Sequence, residues 1–380
     1  MKHVTHPTSL AAAAAALLLG LLPGTALAQF DAGSNGSYGP LNVTENTTLD
    51  LPPDGVFHCT TINVSAGRTL RFNRNPLNTP VVLLAQGDVT ISGTIDVSGS
   101  NPSGAIPGVG GPGGFDGGWG GFGPSEPEYR GGDGYGPGRG LNADGQRSAA
   151  YATGAGNNDR TYGNVLIVPL IGGSGSAGSN GNPGRGGGGG GGAILIASNT
   201  RITVNGQINA TGGVVVGFGS GGSGGAIRLV APTGGGNGNL NAPGLAGGGN
   251  GRIRIDTTDP LAFRNLNLSG SVTRGTRMFA LPPGPQPSLH IVSVAGQAIA
   301  VDAAAGVDFE LPAGSPATQT VVLRGQGFIG EVPIRLVVTP EHSASTTYDL
   351  TLNGSANPPE VSAQITLPEG QPTRIHAWTR

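Results

Sequence analysis

Lysine is absent beyond Lys2, cysteine occurs once, and tryptophan and methionine occur twice each in 380 residues. Without an amine, the chain after its first residues excludes Schiff-base and Walker-type lysine chemistry. A lone thiol excludes an internal disulfide. Cys59 lies in the apolar-alternating run Val56-Phe57-His58-Cys59-Thr60-Thr61-Ile62 and is expected to be buried rather than reactive. Charged residues make up only 11% and aromatics 5%, with a formal net charge of -2. Neither a basic nucleic-acid binder nor an acidic solvating chain has that composition, so no nucleic-acid partner is expected. Past residue 28 the histidines are His58, His290, His342 and His376, none at metal-ligand spacing from another. No metal site is expected, and no cofactor is implied.

What is abundant is glycine, with 73 residues, and proline, with 30, which together nearly exclude an ordinary helical enzyme. The first 28 residues have their own logic. Lys2 and His3 precede an uncharged run from Leu10 to Leu22 that ends in Gly24-Thr25-Ala26-Leu27-Ala28. The run is too short to span a bilayer, and Ala26 and Ala28 are small enough for a signal peptidase, so cleavage is expected before Gln29. No later segment supplies the roughly 20 apolar residues of a membrane helix. The expected location is secreted, at the cell surface or in the periplasm.

A repeat carries most of the architectural information. Val81-Val82-Leu83-Leu84-Ala85-Gln86-Gly87-Asp88-Val89-Thr90-Ile91-Ser92-Gly93-Thr94-Ile95-Asp96-Val97-Ser98-Gly99 returns, one residue longer, as Ala193-Ile194-Leu195-Ile196-Ala197-Ser198-Asn199-Thr200-Arg201-Ile202-Thr203-Val204-Asn205-Gly206-Gln207-Ile208-Asn209-Ala210-Thr211-Gly212. A degraded third copy begins at Ala226-Ile227-Arg228-Leu229-Val230-Ala231 and resumes at Gly238-Asn239-Leu240-Asn241-Ala242. In the first copy Val89, Ile91, Ile95 and Val97 share one face of a strand pattern and Asp88, Thr90, Ser92, Thr94 and Asp96 the other. A unit this short cannot bury its apolar face alone, so copies must stack with equivalent aliphatics in ladders. The fold class expected is therefore all-β: a parallel β-helix, with 42–51 and 60–72 as earlier turns and a capping turn at its end. It requires Ile91 to lie beside Val204.

The chain divides into a signal peptide at 1–28, a β-helix domain at 29–280, a Pro-rich linker at 281–287 and a second domain at 288–380. Between the first two copies lies a Gly-rich insertion at about 100–192. Residues 99–225 hold 44 glycines in 127 positions, against 8 in 95 for residues 286–380. Disorder is one reading of the insertion, because glycine loses the most entropy on ordering. The other is a set of extended polyproline-II-type glycine segments packed on the coil to which its ends are pinned. The second domain has strand-like runs at 289–294, 307–311, 320–323, 334–338, 347–352 and 361–367, with 375–378 as a last edge strand. A small antiparallel, Ig-like β-sandwich accommodates them.

Catalytic constellations are thin. Gly221-Gly222-Ser223-Gly224-Gly225 matches the nucleophile-elbow pattern, but the following 226–230 reads as strand where the elbow needs a helix. The G-x-G-x-x-G matches lack a following helix as well, and Gly132-Asp133-Gly134 belongs to no nine-residue calcium-binding register. Asp88 and Asp96 are the best outward acid pair, yet a straight strand sets them about 26 Å apart, beyond glycosidase reach. The counterpart of Asp96 in the second copy is Asn209, which does not ionise. Outward Thr90/Thr203, Ser92/Asn205 and Thr94/Gln207 give a flat face of hydroxyls and amides, suited to sugar or equally to plain hydration. No catalytic residue is assigned. Seven of the eighteen aromatics, Phe115, Trp119, Phe122, Tyr129, Tyr135, Tyr151 and Tyr162, lie inside the insertion. Rings set in glycine either bind or anchor, and Phe115, Trp119, Phe122, Tyr129 and Tyr135 are the candidate binding residues.

The repeat unit at 81–99, its echo at 193–212 and the Gly-rich insertion resemble secreted bacterial glycine-rich parallel β-helix proteins of the adhesin and haemagglutinin type. The resemblance spans roughly residues 40–256 and implies an extracellular location and a binding or structural role. The role expected for the chain is non-catalytic, with an extracellular polysaccharide or another surface protein as partner. Pectin-lyase-like enzymes share such a coil, so a polysaccharide lyase or glycosidase is the alternative. A binder of ice or mineral through threonines is the third, weakened by Asn205 and Gln207.

Overall fold

Strand-forming triplets and pentads recur in each copy, and each pairs with its equivalent in the next. The computed structural model describes residues 30–142, 147–215, 220–282, 286–303 and 306–380. The leader at 1–28 with its cleavage point, and residues 283–285 of the linker, lie outside the described residues. Everything described is strand, turn or irregular chain, with no helix among the described residues.

A ten-stranded, strongly curled parallel sheet holds two of the stacks. In the first, Val56–Val64, Val81–Ala85, Ala193–Ser198, Ala226–Val230, Arg252–Asp256 and Ser271–Gly275 follow one another, so that Val81, Ile194, Ile227, Ile253 and Val272 fall in one column. The second joins the end of Val56–Val64 to Val89–Ile91, Arg201–Val204 and Thr233–Gly235. Ile91 pairs with Val204, as stacking of the copies demands. A separate six-stranded parallel sheet is the third stack: Thr47–Asp50, Thr69–Asn73, Thr94–Asp96, Gln207–Asn209, Asn239–Asn241 and Asn267–Ser269. The extra residue of the second copy falls at its start, since Val81 is opposite Ile194 while Val89 is opposite Ile202.

Side-chain alternation puts the predicted inner face where it belongs. Val89, Ile91, Ile95 and Val97 are buried in one cluster with Leu70, Ile202, Val204, Ile208 and Leu240. Cys59 is fully buried among them, and burial pushes its thiol up to about 11. The degraded third copy carries Gly234 opposite Ile202, and there the fully buried Phe263 ring takes the place a Cβ would need. Burying aliphatics of this kind stabilises by about 1.5–3 kcal/mol per side chain, which is why register is kept across all copies.

The insertion has only a small apolar cluster around Tyr151 and Ile167 and no ladders of aliphatics among its described residues. Its segments bond to one another through the backbone at every third residue. Phe115, Gly118 and Gly121 N–H donate to the carbonyls of Gly173, Ser176 and Ser179; Gly184, Gly187 and Gly190 donate to Gly121, Gly118 and Phe115; Gly175, Gly178 and Gly181 donate to Tyr135, Gly132 and Tyr129. A helix of three residues per turn points every third N–H in one direction, so this is the pattern of packed polyproline-II-type segments. Their spacing leaves no room for side chains: a Cβ on Gly175, Gly178, Gly187 or Gly190 would stand closer than 3.0 Å to the carbonyl of Asp116, Trp119, Ser176 or Gly173. The described part of the insertion thus follows the packed reading. The lattice continues into the stacks through Gly192 to Val97 and Gly191 to Ser223.

Residues 288–379 form two antiparallel sheets facing a shared core that includes Val321, Leu323, Ile334, Leu336 and Ile365. One sheet holds Ser288–Val294, Gln297–Ala298, Thr318–Gln326 and Glu360–Thr366; the other holds Thr346–Asn353, Glu331–Pro340 and the C-terminal Thr373–Thr379. The expected strand at 307–311 does not form. Val307, Asp308, Phe309 and Glu310 are all exposed, so the alternation there buries no apolar face against the core.

Candidate functional site

The outward side of the third stack is where the repeat places its polar side chains. Leu70, Ile95, Ile208 and Leu240 are fully buried, so the residues flanking each of them face away from the core. Pairing sets them in two columns. One runs Thr69, Thr94, Gln207, Asn239, Asn267, and the other Arg71, Asp96, Asn209, Asn241, Ser269. Adjacent members bond along the column: Asn241 Nδ2 donates to Asn209 Oδ1 at 2.9 Å, Arg71 meets Asp96 at 3.1 Å, and beside them Asn73 Nδ2 donates to Asp50 Oδ1 at 2.7 Å.

The outward positions of the first stack differ completely. Val82, Leu84, Leu195, Arg228 and Arg254 are all buried beneath other parts of the chain. Tyr151 and Ile167 of the insertion pack on Ala193 and Ala226. Arg228 donates to the carbonyls of Phe279 and Ala280 at 2.8 and 3.2 Å, and lies over the Phe279 ring. Asp256, fully buried, pairs with Arg228 at 3.4 Å and Arg254 at 2.6 Å. Two arginines on one carboxylate leave this buried group with net positive charge, which the backbone carbonyls help to satisfy. The alternation Arg252-Ile253-Arg254-Ile255-Asp256 was the available signal for it, since it sets three charges on one side of a strand.

A cleft of about 310 Å³ opens where the third stack meets the insertion, lined by Arg71, Asn73, Arg74, Asp96, Ser98 and Ser100 among others. Its acids are already engaged. Asp96 pairs with Arg71, and Asp116 beneath the cleft pairs with Arg74 and with Arg374 of the sandwich, the latter at 3.1 Å. Burial raises the Asp116 carboxyl, but the two guanidiniums and the Gly110 N–H outweigh it and hold it below the usual carboxylate range. Asp88 accepts a hydrogen bond from the Thr200 hydroxyl. Ser223, the centre of the elbow-like pentapeptide, is fully buried and donates nothing outward; its Oγ accepts from Ser174 N–H at 2.8 Å.

The candidate aromatics separate. Phe122 and Tyr129 are exposed, Phe115 and Trp119 partly so, and Tyr135 is buried. Phe122 sits edge-on to His342, with ring centroids 4.5 Å apart, and Tyr135 edge-on to His376 at 5.7 Å with Arg374 over its face. Tyr151 and Tyr162 stack at 4.4 Å. Four of these seven rings, Phe122, Tyr135, Tyr151 and Tyr162, therefore have their faces or edges against other residues of the same chain. Polar bonds reinforce that junction: Asp133 accepts from Ser345 N–H and Oγ at 2.8 Å each, Arg139 donates to Ser345 and Thr347, and His342 Nδ1 donates to the Arg130 carbonyl at 3.1 Å. Burial, with Arg374 and Arg139 nearby, pulls His376 down to about 4 despite the opposing Asp116.

The polar columns were only half visible beforehand. Thr94/Gln207 and Asp96/Asn209 follow from aligning two copies. Asn239 and Asn241 follow from the third copy, whereas Asn267 and Ser269 needed the triplet Asn267-Leu268-Ser269 to be recognised as a further equivalent of Thr94-Ile95-Asp96. Comparison with models of known protein families, with characterised proteins and with solved structures gives no match to this chain, so the residues above stand on their own geometry.

Proposed function

We propose that this chain is a secreted, non-catalytic surface or matrix protein with a structural and adhesive role, related in kind to glycine-rich bacterial β-helix adhesins. Its three parallel stacks are read as the faces of a β-helix, with the Gly-rich insertion as a lateral buttress and the C-terminal sandwich docked on it. The observation that carries this reading is the continuous backbone lattice that joins Gly192 to Val97, Gly191 to Ser223 and Gly118 to Ser176. Such a lattice makes a stiff body out of a composition that would otherwise be loose, which is what a spacer requires. The acids near the cleft fit a structural role, because Asp96 and Asp116 are each engaged by arginine within the chain.

The test has two parts. The chain expressed with its leader is followed by cell fractionation and N-terminal sequencing, and extracellular or periplasmic material starting at Gln29 is the expected result. Material without residues 1–28 is then incubated with a panel of polysaccharides and the products are analysed. Binding without new reducing or unsaturated ends supports the proposal; chain cleavage overturns it.

A further inference from the structure

Resting on that reading, we infer that the outward side of the third stack is the binding surface for an extended, uncharged, hydroxyl-rich polysaccharide that runs across the strands. Two columns of polar side chains cross five strands in continuous register, from Thr69 and Arg71 to Asn267 and Ser269. Adjacent strands lie about 4.8 Å apart, so each column offers a hydrogen-bonding group at that interval over about 19 Å. Such a column suits a partner that repeats hydrogen-bonding groups at short, regular intervals along its length. An extended polymer does.

The chemistry selects the polymer. The columns carry Gln207, Asn209, Asn239, Asn241 and Asn267, and every carboxamide both donates and accepts. Sugar hydroxyls do the same, so either partner satisfies the other in any rotamer. The two opposite charges in the columns, Arg71 and Asp96, pair at 3.1 Å, so the columns themselves carry no net charge. Asp50, next to Asn73 at the same end, adds a negative charge that opposes a polyanion. The charge pattern is therefore complementary to a neutral chain.

Order and access complete the case. The Asn241–Asn209 and Asn73–Asp50 bonds fix side chains before any ligand arrives, which lowers the entropy lost on binding. Gln207, Asn267 and Ser269 are exposed, whereas the equivalent outward positions of the first stack are buried under the insertion and the segment around Phe279. At one end the columns run into the cleft of about 310 Å³, where Ser98 and Ser100 extend the polar lining.

The experiment is an immobilised array of neutral polysaccharides (β-1,4- and β-1,3-glucans, mannan, galactan) and acidic ones (polygalacturonate, alginate), probed with the chain lacking residues 1–28 at low and high salt. Expected is binding to at least one neutral polymer that changes less than twofold with salt. The Asn209→Ala/Asn241→Ala double variant weakens it at least tenfold, and so does Gln207→Glu/Asn267→Glu, which alters only exposed side chains and keeps the ladder bond. Thermal melting of each variant is measured alongside, so that a folding defect in one pair leaves the other as the reading. Binding that survives both pairs, or that goes only to the polyanions and falls with salt, overturns the assignment of this face while leaving an adhesive role elsewhere on the molecule. Absence of binding to every polymer also overturns it and leaves the structural role intact. Cleaved product overturns the non-catalytic proposal itself.

Discussion

The insertion and the stacks solve the same problem by opposite means. In the stacks, backbone ladders are accompanied by columns of Val, Ile and Leu whose burial supplies the driving force. In the insertion, glycine removes the side chains, and segments approach until carbonyls and N–H groups of neighbours meet directly. The gain per residue is then a hydrogen bond of about 0.5–1.5 kcal/mol net, set against the large ordering entropy of glycine. A lattice of that kind is marginal alone. It stands because its ends continue into a preformed sheet and because Tyr151, Ile167 and the junction with the sandwich anchor it.

The largest expected effect breaks the comparison on the insertion side. Gly187→Ala adds one methyl where the Ser176 carbonyl already sits, with Ala177 backbone behind it. Overpacking usually costs about 1–3 kcal/mol, and here the obstructing atoms are backbone that cannot rotate away, so at least ~3 kcal/mol is expected. Limited proteolysis reads the outcome: the wild-type insertion resists cleavage, and the variant is cut between 100 and 192. Gly306→Ala, where nothing stands within 4 Å, serves as the control and stays within about 0.5 kcal/mol.

In the stacks the corresponding break is subtraction. Ile208→Ala, fully buried between Ile95 and Leu240, is expected to cost about 2–5 kcal/mol by denaturant melting, with the spread set by how far the neighbours collapse. Addition is fatal in one region and deletion in the other. Asp256→Ala falls in the same range, about 3–5 kcal/mol, because it leaves Arg228 and Arg254 buried without their shared carboxylate.

Acid sharpens the contrast at the junction of insertion and sandwich. His376 is held neutral, with its folded value near 4 against an ordinary 6.5. A lowered folded value means the docked state is favoured in full above pH 6.5 and loses stability as pH falls from there through about 4, where protonated His376 faces Arg374 and Arg139. Asp116, also lowered, adds to the loss at still lower pH as its bonds to Arg74 and Arg374 weaken. The expected result is a melting temperature that declines between pH 6.5 and 4, with a shallower decline in His376→Gln. A slope unchanged by that substitution would place the acid sensitivity elsewhere.

How much of this was readable from sequence follows the same division. Stacks are legible because alternation and repetition are side-chain properties: Val89, Ile91 and Ile95 declare their face, and the second copy declares their neighbours. The partner of Gly118 was not legible. Nothing distinguishes one glycine from another, and only the three-residue spacing of the hydrogen bonds tells which segment meets which. Alternation misled at 307–311, where Val307 and Phe309 have the right period but lie exposed instead of packing on the core. At the candidate face, Asp96, Asn209 and Asn241 were visible as equivalents in three copies, while the places of Arg71, Asn267 and Ser269 depend on strands joined only in space.

The smallest effect concerns stability at that face, and its smallness is informative. Asn241→Ala removes one side-chain hydrogen bond, to Asn209, from a partly exposed position where water replaces it. The expected cost is below about 1 kcal/mol by thermal melting. Ile208→Ala, on the neighbouring strand, costs several times more while leaving the outward columns chemically unchanged. If melting shows that order and the glycan array shows the reverse, fold and recognition reside on opposite sides of the same strands. A large loss of stability in Asn241→Ala would instead make the amide ladder a support of the sheet, and its regular spacing would then need no ligand to explain it.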